Sequence, residues 1–401
     1  MDNIGLSDPQ KELGDYVANA NTLLKTLKNE VTAPHNTKTL RTWKIGEAAA
    51  LLGRSSTYIQ QNEGKDKLLG EPLINPDTGR RYYTLERINF IRDKLKCGVK
   101  RPEGVPSTII SIGVFKGGST KTTTTIHLAQ RAALKGHKVL VVDLDPQASL
   151  TFLLGYESQD AIQSDGTLDR VLIEGEPIKD HITSTYFTGI DVIKGSIALQ
   201  DTELVLFNDQ YSFLENPNSE SPVDRLSHAL NELKDEYDLI LMDLPPNLGM
   251  LTLSALRASN GLIVPLSPSM LDYHSAVKFV DTYRRIIKDR DQIDLFRVLL
   301  SRFSNNIEDQ NILSLLQFTF KDRLISNYMV QSEEIKRNAS EFSTVYEIEK
   351  PRGSKATFKR AIEHYDLCND EILGLVYRLW EKKAKAHNEQ FPLFKESVAN
   401  A

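Results

Sequence analysis

The chain has 401 residues, of which 40% are hydrophobic and 26% are charged, and its formal net charge is −5 at pH 7. This composition is typical of a soluble globular protein with one large and one smaller domain, and no apolar run is long enough to predict a membrane-spanning helix. Two distant cysteines, Cys97 and Cys368, argue against a disulfide framework and a cysteine metal site. The N-terminus shows no secretory signal, so we expect a cytoplasmic protein.

The first predicted element is an amphipathic helix between about residues 9 and 31. Its apolar side chains recur at the spacing of one helical face. They are Leu13, Tyr16, Val17, Ala20, Leu23, Leu24, Leu27 and Val31. Such a stripe has to be buried, either against a second copy of the chain or on the chain's own domain. We assign residues 1–36 to this helix and a linker.

Residues 37–100 have the pattern of a winged helix-turn-helix domain. Apolar positions from Ile45 to Leu52 predict a first helix, Gly53 ends it, and Ser55 or Ser56 caps a second. Two strand-like runs around a turn-rich loop then predict a hairpin, or wing, and a third helix follows. A small protein-docking domain is the alternative interpretation of this segment.

This segment is basic, whereas the rest of the chain is acidic, so it favours a polyanionic partner. Its candidate contacts to base edges and phosphates are Arg54, Ser56, Thr57, Gln60, Arg80 and Arg81. A second basic stretch adds Lys350, Arg352, Lys355 and Lys359 as candidate DNA contacts. A solvated charged surface is the alternative for the second stretch.

From residue 107 onward, apolar strands alternate with amphipathic helices. The predicted strands are 108–114, 138–143, 190–193, 238–243, 261–266 and 296–300, and the predicted helices include 121–134 and 223–233. This alternation predicts an α/β domain over residues 101–401, in which helices cover both faces of a mostly parallel sheet.

A phosphate-binding loop follows the first of these strands. It consists of Lys116, Gly117, Gly118, Ser119, Thr120, Lys121, Thr122 and Thr123. Glycines allow backbone N–H groups to face an anion, Lys121 is placed to meet the β and γ phosphates, and the Thr122 hydroxyl is a candidate Mg²⁺ ligand. The strict P-loop pattern fails because Phe115 and Thr120 occupy its two glycine positions. A glycine-rich turn with two surface lysines is the alternative.

The loop resembles the deviant Walker A motif of the ParA/MinD class of ATPases. That resemblance implies that Lys116 is the signature lysine, which reaches the nucleotide of the partner in a dimer. Family loops usually carry glycine where Thr120 stands, and we expect this difference to slow or retune hydrolysis without preventing binding.

Two further motifs extend the resemblance. Residues 143–147, Asp-Leu-Asp-Pro-Gln, look like the family's DxDPQ segment, and residues 237–246 look like its Walker B strand and switch. The resemblance implies that Asp145 is the catalytic carboxylate, that Asp143 supports the metal and that Asp243 binds Mg²⁺. Carboxylates near a polyphosphate can order Mg²⁺-bound water and orient the attacking water.

From about Lys38 to Trp380, the layout resembles the large partition ATPases of low-copy plasmids, in particular the RepA proteins of repABC replicons. The resemblance implies ATP hydrolysis with Mg²⁺, an ATP-dependent homodimer and non-specific binding to nucleoid DNA. It also implies a ParB-type partner at a centromere, and repression of the chain's own operon through operator DNA bound by the N-terminal domain. We therefore expect a cytoplasmic, nucleoid-associated protein without a membrane partner.

Three alternatives stay open at this point. A MinD-like ATPase would act at membranes through an amphipathic C-terminal helix that contains Leu375, Val376, Leu379 and Trp380. A metabolic enzyme on the same fold would be an ATP-dependent synthetase or a relative of the nitrogenase iron protein, and the latter would need cluster cysteines in its switch regions. A transcriptional repressor would use the nucleotide domain only as a sensor.

Overall fold

The computed structural model describes residues 13–20, 22–23, 26, 38–156, 167–216, 220–288, 293–349, 351 and 353–390. Residues 1–39 form one unit and residues 40–401 form a second, larger one. In the first unit, residues 13–20 are helical, and the side chains of Leu13, Tyr16 and Val17 are exposed there. Three predicted members of the apolar stripe, Leu24, Leu27 and Val31, lie outside the described residues.

The N-terminal part of the larger unit contains helices α1 (Ile45–Leu52), α2 (Ser56–Asn62) and α3 (Leu85–Lys94). Helix α1 ends at Gly53, whose φ of 62° lies in the left-handed region that favours glycine. Helix α2 begins where the Ser55 hydroxyl accepts a hydrogen bond from the Tyr58 N–H. Between α2 and α3, Ile74 and Arg81 form an antiparallel bridge. The order of elements follows the prediction, while the identification as a DNA-binding winged helix stays a prediction.

A buried carboxylate holds the hairpin and α3 together. Glu63, which directly follows α2, accepts hydrogen bonds from the Tyr83 hydroxyl at 2.8 Å and from Arg81 and Arg87 at 3.3 Å each. Burying a charge is costly unless it is paired and hydrogen-bonded, and these three donors meet that condition. Arg81 is therefore partly committed to the interior of this segment.

The larger part of the unit is built on a seven-stranded sheet. Its strands are β1 (Thr108–Ile112), β2 (Val139–Asp143), β3 (Thr183–Ser184), β4 (Ile190–Ile193), β5 (Leu239–Asp243), β6 (Gly261–Leu266) and β7 (Leu295–Leu300). The strand order is β3-β4-β2-β5-β1-β6-β7, and only β3 is antiparallel to its neighbour. The continuous apolar runs of the central strands fit a sheet that is covered on both faces.

Ten described helices accompany the sheet. They are α4 (Lys121–Leu134), α5 (Ser149–Leu153), α6 (Leu168–Glu174), α7 (Leu199–Glu215), α8 (Arg225–Asn231), α9 (Met250–Ala258), α10 (Met270–Ile286), α11 (Ile307–Phe320), α12 (Glu333–Ser340) and α13 (Lys355–Gln390). Short 3₁₀ turns occupy Ile178–His181 and Lys321–Arg323. Two separate hydrophobic clusters pack on the sheet. The predicted mostly parallel sheet with helices on both faces is thus confirmed.

Helix α13 packs against α4 and the first strand. The Trp380 indole N–H donates to the Thr108 hydroxyl at 2.8 Å, and Arg131 on α4 forms hydrogen bonds of 2.8 and 2.6 Å with Asp370. Val376 and Trp380, which a MinD-like membrane helix would expose, are buried in the core. The apolar face of α13 therefore serves packing. In the described ranges, no helix is both long and apolar enough to cross a bilayer.

A histidine in α4 makes the stability of this packing depend on pH. His127 is buried beside the rings of Tyr346 and Tyr365, and burial lowers its pKa to about 4. Between that pKa and the ordinary pKa of about 6.5, the unfolded chain binds a proton that the folded chain does not. Stability should therefore fall as the pH drops from about 6.5 to 4, with a slope of up to about 1.4 kcal/mol per pH unit.

Denaturant unfolding at pH 7, 6 and 5 tests this prediction. His127→Gln should flatten the pH dependence, and His274→Gln, which replaces an exposed histidine on α10, should leave it unchanged. Equal slopes for the wild type and His127→Gln would contradict it.

Candidate nucleotide-binding site

The predicted phosphate-binding loop lies at the carboxyl edge of the sheet, between β1 and α4. Gly118 and Thr120 both have left-handed backbone conformations, with φ of 73° and 64°. A Cβ atom placed on Gly117 or Gly118 would meet nothing within 4 Å, so the space beside this part of the loop is open. Open, glycine-rich turns before a helix are the geometry that presents N–H groups to an anion.

Thr120 shows how a residue with a side chain fits where the strict pattern has glycine. A left-handed conformation costs a residue with a Cβ about 1–2 kcal/mol. The Thr120 hydroxyl lies 2.8 Å from the Ser301 hydroxyl, which itself donates to the Leu266 carbonyl at 3.0 Å. These bonds tie the loop to the ends of β6 and β7 and offset that cost.

The two loop lysines have different partners. The Lys121 ammonium is buried and donates to the Lys116 carbonyl across the loop at 3.0 Å. Burial lowers the pKa of Lys121, while the carboxylates of Asp243 and Asp145 act in the opposite direction. The Lys116 ammonium instead forms an ion pair with Asp272, near the start of α10. Asp272 is fixed in turn by the Ser267 N–H, which donates to it at 3.1 Å.

The Lys116–Asp272 ion pair leads to a test of the role that the family resemblance gives to Lys116. If Lys116 acts on the partner's nucleotide, Asp272 competes for it within one chain. Asp272→Asn should then strengthen the ATP-bound dimer by a few-fold, because a partly exposed ion pair contributes about 0–1 kcal/mol. Sedimentation velocity with ATP measures the change.

Asp281→Asn is the matched control, since Asp281 lies on the same helix and pairs with Arg284 and Arg285 at the surface. Weaker dimerisation of Asp272→Asn than of Asp281→Asn would contradict a competing role for Asp272.

Two carboxylates, Asp143 and Asp243, stand at paired positions at the ends of the neighbouring strands β2 and β5. The Asp243 carboxylate accepts hydrogen bonds from the hydroxyls of Thr122 at 2.6 Å and Thr125 at 3.2 Å. The Asp143 carboxylate accepts from the N–H and hydroxyl of Thr151, at 2.8 and 2.7 Å, and from the Asp145 N–H at 3.2 Å. Asp143 therefore fixes the segment that carries Asp145, and its role as a metal support stays a prediction.

The electrostatics of this edge favour a cation. Burial raises the pKa of Asp243, and the charge of Asp143 raises it further. Burial also raises the pKa of Asp143, against the hydrogen bonds from Thr151. A bound cation would stabilise the charged form of these carboxylates and so oppose the rise in their pKa values. The Thr122 hydroxyl and the Asp243 carboxylate are oxygen ligands of the kind that Mg²⁺ prefers. Among the described residues, no group of three or more His, Cys, Asp or Glu side chains could hold a metal without other ligands.

A cavity of about 530 Å³ opens over the loop, which is within the range of small-molecule sites. Its walls include Asp145, Gln147, Arg302, Ala339 and Phe342. The rings of Phe152 and Phe342 are in edge-to-face contact, with centroids 4.2 Å apart. Backbone segments that are distant in sequence thus complete the site.

Sequence reasoning missed several residues of this site: Thr125, Thr151, Phe152, Asp272, Ser301, Arg302, Ala339 and Phe342. Of these residues, only Asp272 belongs to a recognisable sequence pattern, because Ser269 and Asp272 have the spacing of a helix cap. In the structure, the Ser269 hydroxyl accepts a hydrogen bond from the Asp272 N–H. That pattern indicates the start of a helix and says nothing of Lys116.

The candidate DNA contacts lie outside this cavity. Arg54, Thr57 and Gln60 are exposed in and before α2, whereas Ser56 is half-buried. Arg80 is exposed, and its neighbour Arg81 is bound to Glu63. Lys355 and Lys359 are exposed in the first turns of α13. Lys350 and Arg352 lie outside the described residues.

The fold and this edge of the sheet define a P-loop NTPase. A family model described as an AAA domain matches residues 107–295. A Sinorhizobium fredii protein that carries the name replication protein A is 32% identical over 395 residues, which cover 93% of this chain and 94% of the relative. Protein SopA of Escherichia coli strain K12 is 31% identical over 362 residues, 87% of this chain and 92% of SopA.

Among solved structures, one described as a partition protein covers 93% of this chain and 99% of its own, with a TM-score of 0.60 and 17% identity, and so supports the fold. The chain belongs to the ParA family of plasmid partition ATPases.

Proposed function

We propose that this chain hydrolyses ATP with Mg²⁺, dimerises in its ATP state and, in that state, binds DNA non-specifically to segregate a plasmid. The observation that carries the proposal is the meeting of Lys121, Thr122, Asp145 and Asp243 at the loop below an open cavity. The family resemblance adds a ParB-type partner, nucleoid association and repression of the chain's own operon through the N-terminal segment.

The proposed chemistry depends on positioning, because phosphoryl transfer requires little covalent participation by the protein. Loop N–H groups and the Lys121 ammonium would bind the β and γ phosphates, while Thr122 and Asp243 would hold Mg²⁺. Bound Mg²⁺ would neutralise charge that develops on the phosphate oxygens. Asp145 lines the cavity, and its carboxylate accepts a hydrogen bond from the Gln147 N–H at 3.0 Å, which restrains the side chain. In the proposed reaction, this carboxylate positions the attacking water.

DNA binding by an acidic chain has to come from local basic surfaces. Lys355 and Lys359 are two exposed lysines one helical turn apart, at the start of α13. Each phosphate contact adds about one to the salt dependence of DNA binding. The surface at the start of α13 is therefore our candidate for non-specific DNA contact, and Arg54, Thr57, Gln60 and Arg80 are candidates for operator contact.

Binding to a duplex of arbitrary sequence, with ATP, ADP or no nucleotide at fixed salt, tests the proposal. We expect binding only with ATP and its loss in Lys121→Ala. Replacing both Lys355 and Lys359 with alanine should weaken binding several-fold and lower the salt slope by up to about two. Lys382→Ala, which removes an exposed lysine further along α13, should change neither.

If the chain binds arbitrary DNA in none of the nucleotide states, the proposal of non-specific binding is wrong. The exposed Thr57 and Gln60 on α2 would then favour the second candidate, a nucleotide-sensing repressor, which promoter DNA would test. The membrane-acting alternative loses its support, because the apolar face of α13 is buried.

A further inference from the structure

Helix α7 exposes an apolar stripe on the side away from the core. Leu204, Phe207, Tyr211 and Leu214 are each between 64% and 68% exposed. Their spacing of three, four and three residues places them on one helical face, about 15 Å long. The opposite face of α7 packs against the core through Leu199, Thr202 and Leu206. Contiguous apolar surface of this kind typically marks an interaction site.

The rim of this stripe is acidic. Helix α7 contains Asp201, Glu203, Asp209 and Glu215, and it has no lysine, arginine or histidine. Two of these acids have partners inside the chain, since Asp209 pairs with Arg225 at 2.7 Å and Glu203 accepts hydrogen bonds from the start of α9. Asp201 and Glu215 are exposed beside the stripe and give its rim a negative charge. A partner for this face must therefore combine apolar side chains with positive charge.

From this pattern, we propose that the α7 stripe is the docking site for a basic amphipathic helix of a partner protein. Apolar side chains at i, i+3, i+7 and i+10 of one helix have the spacing that packs against the apolar face of a second amphipathic helix. A second copy of α7 would bring its own exposed Asp201 and Glu215 against those of the first, and nucleic acid or anionic lipid would be repelled by the same charges. A basic helix satisfies both the apolar stripe and the acidic rim.

The docking site is connected to the nucleotide site through one side chain. Glu203 accepts hydrogen bonds from the N–H groups of Met250 and Leu251, the latter at 3.0 Å, at the start of α9. The segment that precedes α9 begins at Asp243, the candidate Mg²⁺ ligand. A shift of this segment on nucleotide binding would therefore be transmitted to α7. Only this coupling rests on the proposed function, and the docking surface does not.

Fluorescence anisotropy with a labelled 18-residue peptide tests the docking. The probe is a leucine–lysine helix with leucines at i, i+3, i+7 and i+10, and its matched control replaces every lysine with glutamate. We expect the wild-type chain to bind the lysine peptide more tightly than the glutamate peptide by at least about tenfold, which corresponds to 1.4 kcal/mol. Replacing both Phe207 and Tyr211 with serine should weaken binding of the lysine peptide by a similar factor.

Two control variants distinguish binding at the α7 stripe from non-specific hydrophobic binding, and measure the contribution of charge. Ile307→Ser with Phe318→Ser removes apolar side chains on α11 that are 74% and 80% exposed, and should leave binding unchanged. Asp201→Lys with Glu215→Lys should weaken binding several-fold and reduce its sensitivity to salt. Thermal melting verifies that each variant folds.

Several results would overturn the proposal. The first is that the Phe207/Tyr211 variant binds the lysine peptide as tightly as the wild type does. The second is that the wild type binds the glutamate peptide as tightly as the lysine peptide. The third is binding to phosphatidylglycerol vesicles that is lost in the Phe207/Tyr211 variant. Loss of a wild-type dimer in the Phe207/Tyr211 variant without peptide would also overturn it, by assigning the stripe to self-association. The peptide assay needs no nucleotide or DNA, so failure of the partition proposal alone would leave its result intact.

Discussion

Lys121→Ala is expected to weaken ATP binding by about 10- to 100-fold. A hydrogen bond to a charged group contributes about 1.5–3 kcal/mol, and each 1.4 kcal/mol is a factor of ten in affinity. The Lys121 ammonium is held over the loop by the Lys116 carbonyl, and its positive charge acts on the buried carboxylate of Asp243. Without it, a polyphosphate would meet Asp145 and Asp243 with less compensation. Isothermal titration with Mg²⁺ and ATP measures the loss.

Lys116→Ala provides the comparison on the same loop. If Lys116 acts across a dimer, its removal should change the ATP affinity of the monomer by less than about threefold and should weaken the ATP-bound dimer instead. Equal losses of ATP affinity in the two variants would contradict the separate roles of these lysines. Because Lys121 is buried, its variant should first be shown to melt cooperatively.

Asp145→Asn is expected to lower ATP turnover by about 10²- to 10⁴-fold while ATP affinity stays within a few-fold. This range is typical when a positioned acid–base group is removed. The Asp145 backbone is fixed by the Asp143 carboxylate, and its side chain is oriented by the Gln147 N–H, so an asparagine should take the same place without the charge. Phosphate release under single-turnover conditions, with DNA present, measures the effect.

An exposed carboxylate outside the cavity supplies the control. Asp235→Asn should turn over ATP at the wild-type rate, since Asp235 lies at the surface before β5. Wild-type turnover in Asp145→Asn would place the catalytic carboxylate elsewhere and remove the main support for the family assignment of Asp145.

Local patterns predicted the sheet and the loop because their determinants are contiguous in sequence. The central strands are continuous apolar runs, and Lys121 and Thr122 stand at the helix start that any phosphate loop requires. Asp272, Ser301 and Phe342 were beyond prediction, since they reach the site from segments 150 to 230 residues away, and only the packed sheet brings them there.

The N-terminal segment contains two residues that sequence reasoning could not distinguish. Arg80 and Arg81 are chemically equivalent in the sequence, and both were predicted to contact DNA. The structure divides them, because Arg81 helps neutralise the buried Glu63 while Arg80 is exposed. A local pattern cannot tell which of two adjacent arginines a distant buried carboxylate will take.

The contact between Trp380 and Thr108 has a consequence for how the protein is made. These two residues are separated by 272 positions, and α13 covers one face of α4 and β1. During synthesis, that face stays uncovered until residue 380 has left the ribosome, because the helix that covers it is made long after β1 and α4. We therefore expect the apolar surface of the nascent nucleotide domain to be prone to aggregation over that interval, and a chaperone that binds this face should protect it.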